Sequence, residues 1–251
     1  MDTNGKKTGP RVVLPAYEEM LDTYVARLRD SKMSPARKRK CAVLFAEAVE
    51  AMDLMASTGK RTIAGMGSAR EPKGTPKYER AVTVARLLAP HYNVIQGEGP
   101  GFMEAFAFGA QEGGALAIGL RIIADAIFEQ VSNPHTSLSI TFHDLFARKF
   151  AFLQADGYVF FDYGIGTLDE FFEVLAQVQL GLLAKKPVVC VGVDAWGPIQ
   201  KLLKDLAEAG RISWEDLDLF RLTDDPEEVL QIMLELAPPR PNGCSGSEKV
   251  A

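Results

Sequence analysis

Gly157-Tyr158-Val159-Phe160-Phe161-Asp162-Tyr163-Gly164-Ile165-Gly166-Thr167-Leu168-Asp169-Glu170 is the stretch on which the fold is decided. Its first five residues are a short apolar run that reads as a β-strand. A loop carrying two glycines follows. From Thr167 the residues Leu168, Phe171, Phe172, Leu175, Val178 and Leu182 recur at helical spacing, which predicts a helix over 167–182. A strand that passes through a glycine turn into a helix is the unit from which parallel sheets are built.

The same unit recurs in both directions. Thr62-Ile63-Ala64-Gly65-Met66-Gly67-Ser68-Ala69-Arg70 is a short strand ending in a small-residue turn. A helix over 76–89 follows, with Ala81, Val84, Ala85 and Leu88 on one face. A strand at 93–96 leads into Gly97-Glu98-Gly99-Pro100-Gly101, then a helix closed by Gly113-Gly114. Residues 115–122 read as a strand, Asn133-Pro134 as part of a loop, and residues from about Thr141 as a helix leading to 157–161. Downstream come a strand at 188–193 and a helix at 196–209. A last helix stands behind Asp224-Asp225-Pro226-Glu227-Glu228, with proline and acids in its first turn. This alternation predicts a Rossmann-like α/β fold, a doubly wound parallel sheet with helices on both faces. In such sheets ligands bind beyond the carboxyl ends of the strands, where strand order reverses. Three glycine-bearing turns, at 65–70, 97–101 and 164–167, can line one such crevice.

Residues 15–59 form a helical arm ahead of this domain, which spans 60–237. In the arm Cys41, Leu44, Phe45, Ala48, Met52 and Met55 share a helical spacing that predicts a packed face. Arg37-Lys38-Arg39-Lys40 reads as a solvated helix face. Residues 1–14 and the Pro-, Gly- and Ser-rich residues 238–251 read as disordered.

Composition sets the outer limits. The 251 residues include 47% hydrophobic ones, enough for a full core without metal or disulfide staples. The net charge of −5 argues against a nucleic-acid backbone partner. No stretch approaches the roughly 20 apolar residues of a membrane span. Cys41, Cys190 and Cys244 are far apart and odd in number, which points to a reducing cytoplasm.

Several residues carry candidate chemistry. Gly164 and Gly166 let a backbone approach a ligand, and Thr167 at a helix start can offer N–H groups to an anion. Thr167-Leu168-Asp169-Glu170 equally fits a capping box that does nothing but end the helix. Ser68 and Arg70 on the first turn and Gly99 on the second are further binding candidates. On a helical wheel Phe142, Leu145, Phe146, Lys149, Phe150 and Leu153 share an apolar arc, with Arg148 at its edge. A buried Lys149 must meet a carboxylate or a ligand anion, and the ligand is the expectation. His91, His135 and His143 lack metal-ligand spacing, so no metal site is expected from them.

Taken in order, Gly67-Ser68-Ala69-Arg70, the 97–105 stretch GEGPGFMEA, Phe146-Ala147-Arg148-Lys149 and the 164–170 stretch GIGTLDE resemble the LOG family, also called lysine decarboxylase-like. The resemblance covers about residues 60–236 and is nearest the longer bacterial branch, which carries a helical arm. It implies an enzyme that hydrolyses the N-glycosidic bond of a nucleoside 5′-monophosphate with no metal or redox cofactor, a homodimer or larger homo-oligomer. It implies Gly164, Gly166 and Thr167 as the phosphate cradle, Arg148 and Glu170 as the catalytic pair, and Lys149 as a binding residue. Where the family keeps Pro-Gly before Gly164, this chain has Asp162-Tyr163. Glu98 stands where the family has the middle of three glycines. Both changes bring acid toward the expected anion site and Tyr163 brings bulk, so altered specificity and a non-catalytic binding role stay open beside the hydrolase.

Overall fold

The computed structural model describes residues 17–123 and 133–240. The two terminal stretches expected to be disordered fall largely outside them. The chain divides into two compact units, Met1–Leu44 and Phe45–Ala251. The boundary therefore falls inside a helix, ahead of the 59/60 junction expected from sequence.

The helical arm expected over residues 15–59 consists of two helices. Helix α1 covers Tyr17–Asp30 and α2 covers Pro35–Ser57. Pro35 opens α2, as a residue with no N–H to lose does. Arg37, Arg39 and Lys40 are exposed, as a solvated basic face requires. The second half of α2 belongs to the second unit, where Glu47 and Ala51 are its buried residues. Of the apolar face expected to pack, Cys41, Phe45 and Met52 are exposed, and Leu44, Ala48 and Met55 are half-buried.

The second unit is a seven-stranded parallel sheet in the order β4-β3-β2-β1-β5-β6-β7. The strands are β1 (Thr62–Met66), β2 (Asn93–Gln96), β3 (Ala117–Ile122), β4 (Leu138–Phe142), β5 (Gly157–Phe160), β6 (Val188–Val191) and β7 (Arg221–Thr223). Strands β1, β2, β5 and β6 are buried on both faces, which their near-continuous apolar sequences dictate. The chain winds outward from β1 to β4, then crosses to β5 and winds the other way. The reversal lies between β1 and β5, paired from Ile63↔Gly157 to Met66↔Phe160.

Helices α3 (Pro76–Leu88), α4 (Phe102–Glu112), α5 (Leu145–Leu153), α6 (Ile165–Gln179), α7 (Val193–Glu208) and α8 (Pro226–Leu236) connect or follow the strands. Thr75 caps α3 by accepting from the Tyr78 N–H at 3.2 Å, and Asp225 caps α8 by accepting from Glu227 at 3.0 Å. Helices α3 and α4 meet so closely that a Cβ on Gly109 would lie 2.1 Å from the Val82 carbonyl oxygen. Toward α6 and α7 the core is aromatic: the Phe171 ring packs on Phe160, Trp196 and Phe220. Among the described residues no helix is long and apolar enough to cross a membrane.

Two corrections concern the edges. Residues 138–142 are a strand, not the start of a helix; the helix begins at Leu145, capped by Asp144 accepting from Phe146 N–H at 2.8 Å. The face of α5 read as its buried arc is outside: Leu145, Phe146 and Phe150 are exposed. The buried face carries Ala147, Arg148, Ala151 and Phe152.

Candidate active site

The three glycine turns meet at the reversal between β1 and β5. The Ser68 N–H donates to the Asp162 carbonyl at 2.8 Å, and the Phe102 N–H donates to the Ser68 carbonyl at 3.2 Å. Ser68 thus staples the first turn to both others. Gly101 permits this: its φ is +68°, and a Cβ there would lie 2.5 Å from the Ser68 carbonyl oxygen.

Arg148 enters from α5 and is buried. Its Nε–H donates to the Leu120 carbonyl at 2.8 Å and an Nη2–H to the Gly97 carbonyl at 3.1 Å. Its guanidinium lies over the Phe152 ring, 5.2 Å from the centroid. Three of its five N–H groups remain for a ligand. Burial lowers its pKa, and the charge of Glu170 works against that.

Glu170 lies one turn into α6. Burial pushes its carboxyl up from the usual 4.5 to about 7, against the pull of Arg148 and Lys149 and with the help of Asp169 and Glu173. Among the described residues no ion pair joins Arg148 to Glu170; each acts on the other through space.

The start of α6 differs from the expectation. The helix begins at Ile165, two residues before Thr167, and its N-cap is Gly164, which provides no side-chain cap. The capping box does not form. Thr167 is buried in the first turn, whereas Ile165 is 89% exposed. The first turn of the helix therefore has no side-chain cap and carries two glycines. Neither glycine has an internal reason to be glycine: both lack a positive φ, and a Cβ on either would meet nothing within 4 Å. Gly166, inside the helix, costs about 1 kcal/mol relative to alanine.

The two departures from the family pattern turn away from this helix start. Asp162 forms an ion pair with Lys77 of α3, raising the Lys77 pKa. Tyr163 donates its hydroxyl to the Ala195 carbonyl at 3.0 Å, and its ring packs edge-on to Trp196. Glu98 is buried, and the hydroxyl of Ser139 on β4 donates to its carboxylate. Each of these three side chains is thus engaged by a partner within the protein.

Ser68, Gly99, Arg148, Gly164, Gly166, Thr167 and Glu170 all stand at the carboxyl ends of β1, β2 and β5 or at the helices that start there or cover them. Arg70 is exposed; its N–H donates to Ser68 Oγ at 3.1 Å. Lys149 does not have the ligand-facing place expected of it. Its Nζ is 3.0 Å from both Asp169 and Glu173, and those carboxylates raise its pKa although burial opposes its charge. It ties α5 to α6. His143, read as bland, has a partner in Glu47: both its N–H and its Nδ1 lie within 2.9 Å of Glu47 Oε1. Lys77 and Glu47 were missed by the sequence reading, and no local signal marks either. Among the described residues no three His, Cys, Asp or Glu side chains gather as metal ligands would.

The family model described as "Possible lysine decarboxylase" matches residues 103–233, more than half the chain. A protein of Oryza sativa subsp. japonica named probable cytokinin riboside 5′-monophosphate phosphoribohydrolase LOGL2 is 27% identical over 61% of this chain. That match covers 63% of LOGL2, less than two thirds of its length. LOGL6 of the same organism, named for the same activity, is 27% identical over 76% of this chain and 77% of its own. Among solved structures, the molybdenum cofactor binding protein of the phototrophic bacterium Rippkaea orientalis has a TM-score of 0.55 at 23% identity. That superposition covers 71% of this chain and 98% of the other, and it shows a shared fold.

Proposed function

The chain belongs to the LOG family, and from that premise we propose that it is a phosphoribohydrolase, cleaving a nucleoside 5′-monophosphate to free base and ribose 5-phosphate. The observation that carries the reading is the uncapped start of α6. Its two glycines have no internal cause, and it stands beside a buried arginine and a carboxyl of raised pKa. Phosphate fits such a helix start, where exposed N–H groups and the helix dipole favour an anion.

The chemistry follows from the two charged groups. As the C1′–N bond breaks, its electron pair leaves with the base nitrogen, which takes a proton from solvent water, and the ribose becomes oxocarbenium-like. The Glu170 carboxylate stabilises that positive charge and accepts a proton from the water that bonds to C1′. Arg148 is held by two backbone carbonyls, so its free N–H groups are fixed before substrate arrives and lose little freedom on binding ribose hydroxyls or phosphate. Ser68 and Gly99 line the same edge. Lys149 serves by holding α5 to α6 instead of by touching substrate.

The purified protein should release base from at least one of the adenine, guanine, cytosine and uracil 5′-monophosphates, and Glu170→Ala should not. Binding of a nucleotide without release would reassign the fold to a carrier role. Large apolar residues exposed on α5, with Phe146 73% exposed, support a second copy of this chain as the cover of that face. Phe146→Glu should then shift the sedimentation of the protein toward the monomer; wild-type protein that already sediments as a monomer contradicts the assembly.

A further inference from the structure

Glu98 is the one non-glycine among the described residues with a positive φ, 62°. For a residue with a Cβ, such a conformation is unfavourable and persists where surrounding contacts impose it. Those contacts are present. The side chain is buried, with Glu98 only 3% exposed. The Ser139 hydroxyl donates to its Oε2. The same oxygen fills the space over Gly119, where a Cβ would lie 2.6 Å from it.

The backbone of Glu98 is held as firmly as its carboxylate. Its N–H donates to Gln96 Oε1, and Gln96 Nε2 donates to Thr136 Oγ1 at 3.0 Å. The other half of that peptide is the Gly97 carbonyl, which accepts from Arg148 Nη2 at 3.1 Å. A Cβ on Gly97 would sit 2.4 Å from the same nitrogen, so the guanidinium lies directly against the turn. One peptide group therefore joins the catalytic arginine on one side to a buried polar cluster on the other.

We propose that Glu98 is a positioning residue: anchored through its carboxylate to Ser139, it fixes the left-handed Gly97–Glu98 peptide so that the Gly97 carbonyl holds Arg148 within electrostatic reach of Glu170. The kinetic consequence rests on the hydrolase reading above; the structural consequence does not. Glu170 is faced by Arg148 and Lys149 from α5 and by Asp169 and Glu173 from its own helix. A displaced Arg148 leaves the two acids less opposed.

The test uses the full chain with Glu98→Gly, which keeps the turn sterically easy, and Glu98→Gln, which keeps an acceptor for Ser139. Glu98→Gly should lower kcat at least tenfold and also raise the KM for the nucleotide, since the displaced Arg148 is a binding group as well. It should also move the acid limb of the kcat–pH profile upward by half a pH unit or more. Glu98→Gln should restore kcat to within threefold. Wild-type kcat in Glu98→Gly, or a fall in kcat with an unmoved acid limb, overturns the proposal. If wild type hydrolyses no nucleotide, the hydrolase reading fails and the crystal structure of Glu98→Gly decides. Arg148 Nη2 moved off the Gly97 carbonyl supports the proposal, and the wild-type contact retained overturns it.

Discussion

The turn at 97–101 and the turn at 162–167 both depart from the pattern of their family, and they absorb the change in opposite ways. In the first, Glu98 sits in a left-handed conformation and is enclosed by Ser139, Gln96 and Gly119. In the second, Asp162 and Tyr163 have no positive φ, and their side chains swing out to Lys77 and Ala195. The glycines differ in the same sense. Gly97 and Gly101 are required by neighbouring atoms of the protein itself, Arg148 and Ser68. Gly164 and Gly166 meet nothing. On the proposed reading, the turn that positions the arginine is filled by the protein, and the turn that would receive the phosphate is left bare.

That contrast breaks most visibly at the carboxylate. Glu170→Gln should lower kcat by about 10²–10⁴, the usual range for losing a positioned acid–base group. Steady-state release of free base measures it, and activity within tenfold of wild type would remove Glu170 from the chemistry. Next in size is the bare turn. Gly166→Ala should raise the KM for a nucleoside monophosphate about tenfold while stabilising the protein by about 0.5–1 kcal/mol, because alanine is the better helix former. Denaturant unfolding and initial-rate kinetics on the same preparation check both halves. A variant less stable than wild type would mean that the turn has an internal need for glycine after all.

The pH dependence sharpens the same point. With the Glu170 carboxyl at about 7 in the fold, kcat should rise with pH through about 7 as the carboxylate forms. Stability runs the other way. The folded protein holds this proton more tightly than the unfolded chain, whose carboxyl sits near 4.5. The stabilising contribution is complete below 4.5 and is lost as pH rises through about 7. Glu170→Gln lacks that loss, so its Tm relative to wild type should climb between pH 5 and 8. A constant difference across that range contradicts the raised pKa. Smallest is Tyr163→Phe, which removes one hydrogen bond on α7 and should cost about 1 kcal/mol of stability with little change in KM.

Much of this was legible in the sequence. Glycine turns at the ends of three apolar runs were enough to place the crevice, because a parallel sheet brings such turns to one edge. The ordered motifs marked Arg148 and Glu170. Helical periodicity says which residues share a face but not which face is inside, so the apolar arc of α5 was read as core although Leu145, Phe146 and Phe150 are exposed. The strand at 138–142 was missed because it lies at the sheet edge, where only one neighbour pairs with it and its residues are partly exposed. Lys77 and Asp162 are 85 residues apart, and only the fold brings them together. The left-handed bend at Glu98 leaves no trace in composition, since glutamate is a poor marker for it.

The most direct measurement is a panel of nucleoside 5′-monophosphates incubated with wild type and with Glu170→Gln, each assayed for free base and ribose 5-phosphate. Equal amounts of both products from at least one nucleotide with wild type, and neither with the variant, is the predicted result. Binding of the nucleotides by wild type without release of base would contradict it.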